Sequence, residues 1–237
     1  MSALVRLTDQ VWLYPRDPNP ERMQPNVGVI VTGQETILVD AGNSPRVARR
    51  LLLALDEIHA PPVRAVIYTH HHWDHVFGGL VYDAPIIAHE ICRKNLVELA
   101  AKPWGQSYIQ EEITRAPARE VGLRAMARAV EDWRSFSIAL PEITLSKTLR
   151  LYSGGLTIEI EHVGGQHAAD SLVVRVPEAR LMFVADACYP PPPHQRRPDD
   201  TLDRQMIERL ADEGLDIYVD GHGDPRALAE FRRLAVE

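Results

Sequence analysis

Apolar residues along this chain follow two rhythms, and the switches between them mark its elements. Short β-branched or aromatic runs at Val5–Leu7, Val11–Tyr14, Val27–Thr32 and Thr36–Val39 predict strands, with Gly33-Gln34 as the turn between the last two. Asp40-Ala41-Gly42 ends that block. Ser44-Pro45 then offers an N-cap and a proline at the first helical position. Val47, Leu51, Leu52, Leu55 and Ile58 recur at helical spacing behind it, giving one buried face. Pro61-Pro62 stops the helix, and Val63–Tyr68 is the next strand. A short strand at Pro85–Ala88 leads into a helix through about Leu99.

Residues 99–140 break the pattern. They hold Trp104, Tyr108, Trp133 and Phe136, a helical stretch near Ala118–Trp133 and no strand signal, which reads as a helical insertion. A lid, a subunit face of a homodimer and extra packing on an edge are the roles open to it. Strands resume from Ile143, at Thr148–Tyr152, Leu156–Val163, Ser171–Val176 and Leu181–Ala185. Four consecutive prolines, Pro190 to Pro193, then form a stiff segment with no backbone donors. A helix near Leu202–Glu213, a strand Asp216–Val219 and a helix from Pro225 complete the pattern. Two strand-rich blocks each finish with helices, and no linker separates them. One domain over residues 1–237 is expected, with two sheets face to face and helices outside, an α/β sandwich.

Composition narrows the function classes. A chain of 237 residues can bury most of its apolar surface without a structural metal. Its two cysteines, Cys92 and Cys188, exclude a disulfide framework. The longest apolar runs, such as Val27–Val31, are too short to cross a bilayer, so no membrane partner is expected. A net charge of −7 argues against a nucleic-acid partner, because phosphate neutralisation needs clustered Lys and Arg. The opening MSALVRLTDQ lacks the apolar run and cleavage site of a secretory signal, so a cytoplasmic location is expected. A small-molecule substrate is the partner left, and histidine points to its chemistry. Five of the ten histidines, His59, His70, His71, His72 and His75, fall within seventeen residues.

The strand Val63–Tyr68 delivers the chain straight into Thr69-His70-His71-His72-Trp73-Asp74-His75. Here His70, His72, Asp74 and His75 fit H-x-H-x-D-H. Alternate residues of an extended segment share a face, so His70 and His72 can converge on one ion. The turn that follows can direct Asp74 and His75 at a second point. Imidazole with carboxylate suits zinc, manganese or iron, whereas magnesium and calcium prefer oxygen alone. A solvated polar tract would not follow an apolar strand so closely.

This segment resembles the metallo-β-lactamase fold superfamily, and later motifs extend the resemblance over roughly residues 5–225. It implies a four-layer αβ/βα sandwich of two mixed sheets with helices on the outer faces. It also implies three further ligands, supplied here by Gly164-Gly165-Gln166-His167, by Asp186 after Phe183-Val184-Ala185, and by Gly221-His222-Gly223. Carried over, His70, His72 and His167 would bind one metal, and Asp74, His75 and His222 a second, with Asp186 bridging. Two divalent transition ions follow, zinc first, with manganese or iron as alternatives. Asp40 would accept an N–H from a ligand histidine and fix its tautomer. Alternation points His71 away from the ions. His59, His89 and His162 are read as structural, while His194 follows the prolines and could approach the cleft.

Departures sort the superfamily. Asp186 stands where the cysteine-ligand class has a thiolate, and Cys188 comes two residues late, so Cys188 is read as a buried small residue. The His segment and Gly78-Gly79 look like glyoxalase II, but only fifteen residues follow His222, too few for that family's helical glutathione-binding domain. The long insertions and basic surfaces of RNA-processing members are not found. Asp186-Ala187-Cys188-Tyr189 resembles the acyl-homoserine-lactone lactonases, which also carry Tyr three residues after the bridging Asp. The resemblance therefore implies a dinuclear hydrolase in which a metal-bridging hydroxide attacks an ester or lactone carbonyl. Asp74 and Tyr189 would be its catalytic residues beside the ions, with Tyr189 stabilising developing negative charge. The alternatives are a thioester or β-lactam hydrolase, and a mononuclear iron enzyme of the persulfide dioxygenase type. A diiron electron-transfer module is set aside for want of a flavodoxin-like domain.

Overall fold

The computed structural model describes residues 4–236. Among them, the first sheet runs in chain order: β1 (Val5–Arg6), β2 (Val11–Tyr14), β3 (Val27–Val31), β4 (Thr36–Val39), β5 (Val63–Ile67), β6 (Ile86–His89) and β7 (Ile143–Leu145). Pairing is antiparallel from β1 to β4 and parallel from β4 to β7. The second sheet is built from β8 (Thr148–Ser153), β9 (Leu156–His162), β10 (Leu172–Val176), β11 (Leu181–Ala185), β12 (Ile217–Asp220) and β13 (Arg226–Ala227). Its spatial order is β13-β12-β11-β10-β9-β8, and only β11–β12 is parallel.

Helices α1 (Pro45–Glu57), α2 (Trp73–Val76), α3 (Glu90–Ala100), α4 (Gln106–Arg115) and α5 (Glu120–Ala129) belong to the first half; α6 (Arg204–Leu210) and α7 (Leu228–Arg233) belong to the second. Three apolar layers separate sheets and helices. Val11, Ile30, Ile37 and Ile67 meet Ile158, Leu172 and Phe183 between the sheets. Leu38 and Val66 meet Leu51, Leu55 and Leu96 on one outer side. Met182, Val184 and Tyr218 meet Ile207, Leu210 and Phe231 on the other. The fold is therefore an α/β four-layer αβ/βα sandwich with two mixed sheets, as the resemblance implied. Strands β4 and β11 are apolar at nearly every position because both of their faces are covered. Gly28 lies opposite Phe183 between the sheets, and a Cβ there would overlap that ring.

The ends of the elements refine the sequence reading. Ser44 caps α1 by accepting from the Val47 amide at 3.4 Å. The helix expected over Leu202–Glu213 is shorter, because Asp203 caps it by accepting from the Met206 amide at 3.0 Å and it ends at Leu210. The helix expected from Pro225 begins only at Leu228, since Arg226 and Ala227 pair with Tyr218 and Ile217 as β13. Residues 99–140 are helical as expected, but they are not loosely attached. Met126, Val130 and Ile138 enter the core of the first sheet, and Trp104, Trp133 and Phe136 pack on it. Phe77, at the end of α2, meets Trp104 at 5.7 Å and Phe136 at 4.6 Å between ring centres. Among the described residues, no helix is long and apolar enough to cross a membrane.

Candidate metal centre

Five strand ends open onto one edge of the sandwich and supply the side chains of interest. Asp40 follows β4 with a left-handed backbone, φ 69°. Its carboxylate accepts from the Thr69 amide at 2.8 Å, the Thr69 hydroxyl at 2.9 Å and His75 Nδ1 at 2.7 Å. The turn after β5 is thereby tied to the end of β4, and His75 Nε2 is left to face inward. The single turn of α2 then brings Asp74 and His75 to the same place.

The second sheet contributes from three separate strand ends. After β9, Gly164 (φ 61°) and Gly165 (φ 117°) make the turn into His167, a conformation that side chains disfavour. His167 Nδ1 donates to the Pro190 carbonyl at 2.8 Å, so Nε2 carries the free lone pair. Ala185, φ 44°, swings Asp186 off the end of β11. Gly221, after β12, packs so closely on Asp186 that a Cβ would overlap the carboxylate, and His222 follows.

These side chains converge in two groups. His70 Nε2 lies 2.9 Å from His72 Nδ1, which lies 3.0 Å from His167 Nε2. Opposite them, Asp74 Oδ2 lies 3.3 Å from His222 Nε2 and 3.7 Å from His75 Nε2. Asp186 Oδ2 sits between the groups, 3.3 Å from His167 Nε2 and 3.4 Å from both His75 Nε2 and His222 Nε2. Each group has ligand atoms close enough to hold one ion, and His70, His75 and Asp186 form a third such set linking the two. The donor set also needs something more than itself. His75 Nε2 and Asp186 Oδ1 are buried without a hydrogen-bond partner, a costly state that a bound cation would relieve. The residues present therefore fit bound divalent metal.

The two groups differ electrostatically. Burial, reinforced by neighbouring imidazoles, holds His70 well below the usual histidine range and His72 down at about 3. Burial also acts on His75 and His222, but carboxylates outweigh it. Asp40, Asp186 and Asp74 lift His75 well above its ordinary value, and Asp186 and Asp74 raise His222 to about 10. Burial would raise both carboxylates in turn, yet His75 and His222 hold Asp74 and Asp186 below theirs. Burial thus dominates at His70 and His72, whereas neighbouring carboxylates dominate at His75 and His222.

Residues outside the ligand set divide clearly. His71 turns away from the ligands, as alternation implied, and its ring donates to Asp170 Oδ1 at 2.9 Å while its amide donates to Asp170 Oδ2 at 2.8 Å. Asp170 is fully buried and ties the His70–His72 turn to the His167 loop. Nothing in the sequence pairs those positions, ninety-nine residues apart. His89 caps α3, its Nδ1 accepting from the Ile91 amide at 3.1 Å, and stacks on His162 at 3.7 Å. His59 lies exposed past the end of α1, with φ 53°. Cys188 is buried, its thiol pushed up to about 12 chiefly by burial, and it faces the α6 layer rather than the metal groups. Tyr189 lines the cleft above these groups, and its hydroxyl donates to Asp220 Oδ1, a buried carboxylate, at 2.9 Å. Asp220 was visible only as the residue before Gly221-His222, with no signal of a role.

Above the groups lies a cleft of about 840 Å³. His72, Asp74, His167, Asp186 and His222 form its floor, while His70 and His75 stand behind them. Its walls come from the β2–β3 loop (Met23), from the inserted segment (Val121, Leu123, Met126) and from the proline segment through Leu202, with His194 also on the lining. The inserted helices are thus a wall of the cleft.

Comparison with known proteins agrees with this geometry. The chain belongs to the metallo-beta-lactamase superfamily, whose family model matches residues 20–231. A linear primary-alkylsulfatase from Pseudomonas sp. is 25% identical over 177 residues, covering 65% of this chain and 32% of that protein. The chain thus spans about a third of that relative's length. A metallo-beta-lactamase family protein from Thermus thermophilus aligns with a TM-score of 0.67 and 21% identity, over 98% of this chain and 78% of the other. A stereoselective inverting sec-alkylsulfatase from Pseudomonas sp. aligns with a TM-score of 0.63 and 14% identity, over 100% of this chain and 40% of the other. At these identities the structural likeness carries the fold alone. Family membership, together with the His and Asp clusters, points to a metal-dependent hydrolase.

Proposed function

We propose that this chain is a dinuclear metallohydrolase acting on a small ester or lactone with an apolar arm. In this reading His70, His72 and His167 would hold one ion and Asp74, His75 and His222 the other, with Asp186 within reach of both groups. The observation that carries it is Asp186 Oδ2, within 3.3–3.4 Å of ring nitrogens from both groups beneath an open cleft. When bound, a pair of such ions supplies a nucleophilic water near neutral pH and a Lewis acid for the carbonyl oxygen. The imidazole-rich set suits zinc, with manganese or iron as alternatives.

The chain's own residues orient and exclude. A site with three imidazole ligands would keep a position for water or substrate on its ion. Asp74 and Asp186 offset the charge of two dications that would otherwise repel each other at close range. Asp40 and the Pro190 carbonyl fix the tautomers of His75 and His167. Met23, Val121, Leu123, Met126 and Leu202 offer the apolar arm a wall that excludes water.

A second reading, hydrolysis of an alkyl sulfate ester, is favoured by the 25% match to an alkylsulfatase and by the same apolar wall. A panel of lactones, carboxylic esters, thioesters, a β-lactam and alkyl sulfates separates the two, with oxygen uptake on a persulfide as the test for iron oxygenase chemistry. Turnover of an ester or lactone, lost on chelation and restored by zinc or manganese, is expected. Preference for alkyl sulfates would exchange the first reading for the second, and turnover indifferent to chelation would remove both.

A further inference from the structure

We propose that Tyr189 and Asp220 form a clamp that sets the His222 turn against Asp186, making Tyr189 a positioning residue for the second ion. The inference rests on the two-ion reading and assigns roles to two residues outside its ligand set. Tyr189 reaches two of the strand ends at once. Its amide donates to the Asp186 carbonyl at 2.9 Å, and its hydroxyl donates to Asp220 Oδ1 at 2.9 Å. Asp220 is buried, and the same Oδ1 accepts from the His222 amide at 3.1 Å and from the Gly223 amide. Its other oxygen pairs with Arg226.

The turn is held from its far side as well. Asn26 donates through Nδ2 to the carbonyls of Asp220 at 2.8 Å and Gly223 at 2.7 Å, and its own amide donates to the Gly221 carbonyl at 2.7 Å. Between these holds the Tyr189 ring lies over His222, 6.1 Å between centres and 29° between planes. His222 needs such support more than the other ligands do. Its side chain keeps 33% of its surface exposed, against 10% for His167 and none for His75. The other imidazoles are fixed by ring hydrogen bonds or by burial, whereas His222 is placed through its backbone. A carboxylate accepting from both turn amides restricts that backbone, and the phenol completes the carboxylate's set of donors.

The test follows metal affinity rather than turnover. Wild type, Asp220→Ala, Asp220→Asn, Tyr189→Phe and the Asp220→Ala/Tyr189→Phe double variant are stripped and titrated with zinc against a chromophoric chelator. Asp220→Ala is expected to weaken the second ion by about 10–100-fold while sparing the first. Asp220→Asn, which keeps an acceptor, recovers part of that loss. Tyr189→Phe, close to isosteric, costs about 3–10-fold at the second ion with an unchanged metal-free melting temperature. The double variant matches Asp220→Ala, because the hydroxyl that Tyr189→Phe removes acts through Asp220. Wild-type second-ion affinity in Tyr189→Phe, multiplying losses in the double variant, or equal weakening of both ions would each overturn the clamp. A wild type that accepts one ion only fails the two-ion reading itself, and that result appears before any variant is compared.

Discussion

The two halves of this molecule supply the same kind of candidate ligand by opposite means. The first sheet provides His70, His72, Asp74 and His75 from a single turn after β5, braced by Asp40 at the neighbouring strand end. The second provides His167, Asp186 and His222 from three strand ends, each with its own local device: a pair of left-handed glycines, a left-handed Ala185 and the Asp220 turn. A contiguous ligand set needs one brace, because a fault in the turn moves every ligand together. A dispersed set needs a brace for each ligand. The lesson is that the weakest positioning lies where the chain must return from furthest away, at His222.

The largest effect should come from the dispersed half. Asp186→Ala removes the one carboxylate that reaches both groups, so tight binding of the second ion and most turnover should be lost, as read by metal analysis and by activity on the best ester. Two tightly held ions with full activity in that variant would take Asp186 out of the bridge. Asp40→Asn tests the contiguous half. It removes the carboxylate that fixes the His75 tautomer and braces Thr69, and should weaken metal binding by about 10–100-fold in a chelator competition. An unchanged affinity would mean that the turn after β5 needs no brace.

How far this arrangement could be read from sequence follows the same division. The H-x-H-x-D-H turn suggests its own geometry, because alternation and one tight turn bring four candidate ligands together within six residues. His167, Asp186 and His222 each sit after an apolar strand, but only the order of motifs in the resemblance ties them to the first four. Sequence carries no signal at all for contacts such as His71 with Asp170 or Tyr189 with Asp220. Those depend on how two sheets meet, and short polar side chains have no periodicity to betray a distant partner. Tyr189 is an example: its place three residues after Asp186 suggests a hydroxyl near substrate, and nothing in the sequence shows that the neighbouring β12 end offers that hydroxyl a buried carboxylate. The inserted segment is legible as helical, and its aromatics suggest a pocket wall or a subunit contact, but the ring contacts that seat it, Phe77 with Trp104 and Phe136, are not readable from sequence.

Two smaller effects sharpen the account of the first half. Trp104 donates its indole N–H to the Leu99 carbonyl at 2.8 Å and packs on Phe77, so Trp104→Ala should cost about 2–4 kcal/mol in chemical denaturation. A loss near zero would mean that residues 99–140 hang free of the sheet. His89 gives a pH-dependent effect. Its Nδ1 must stay unprotonated to cap α3, and burial followed by the neighbouring His162 lowers its pKa below the ordinary value. The unfolded chain therefore binds this proton more readily, so the contribution is present above the ordinary histidine pKa and is lost as pH falls below it. His89→Asn keeps a capping acceptor that does not titrate, and the metal-free variant should lose less stability than wild type between pH 7.5 and pH 5. Parallel losses in both proteins would remove His89 as the titrating group.

The most direct test of the central claim is the number of ions per chain. Protein prepared without added metal, then equilibrated with excess zinc or manganese and freed of unbound ions, should carry about two transition ions per chain by elemental analysis, because six candidate ligands stand in two groups around Asp186. A reproducible value of one, unchanged by either metal in excess, would contradict the dinuclear centre.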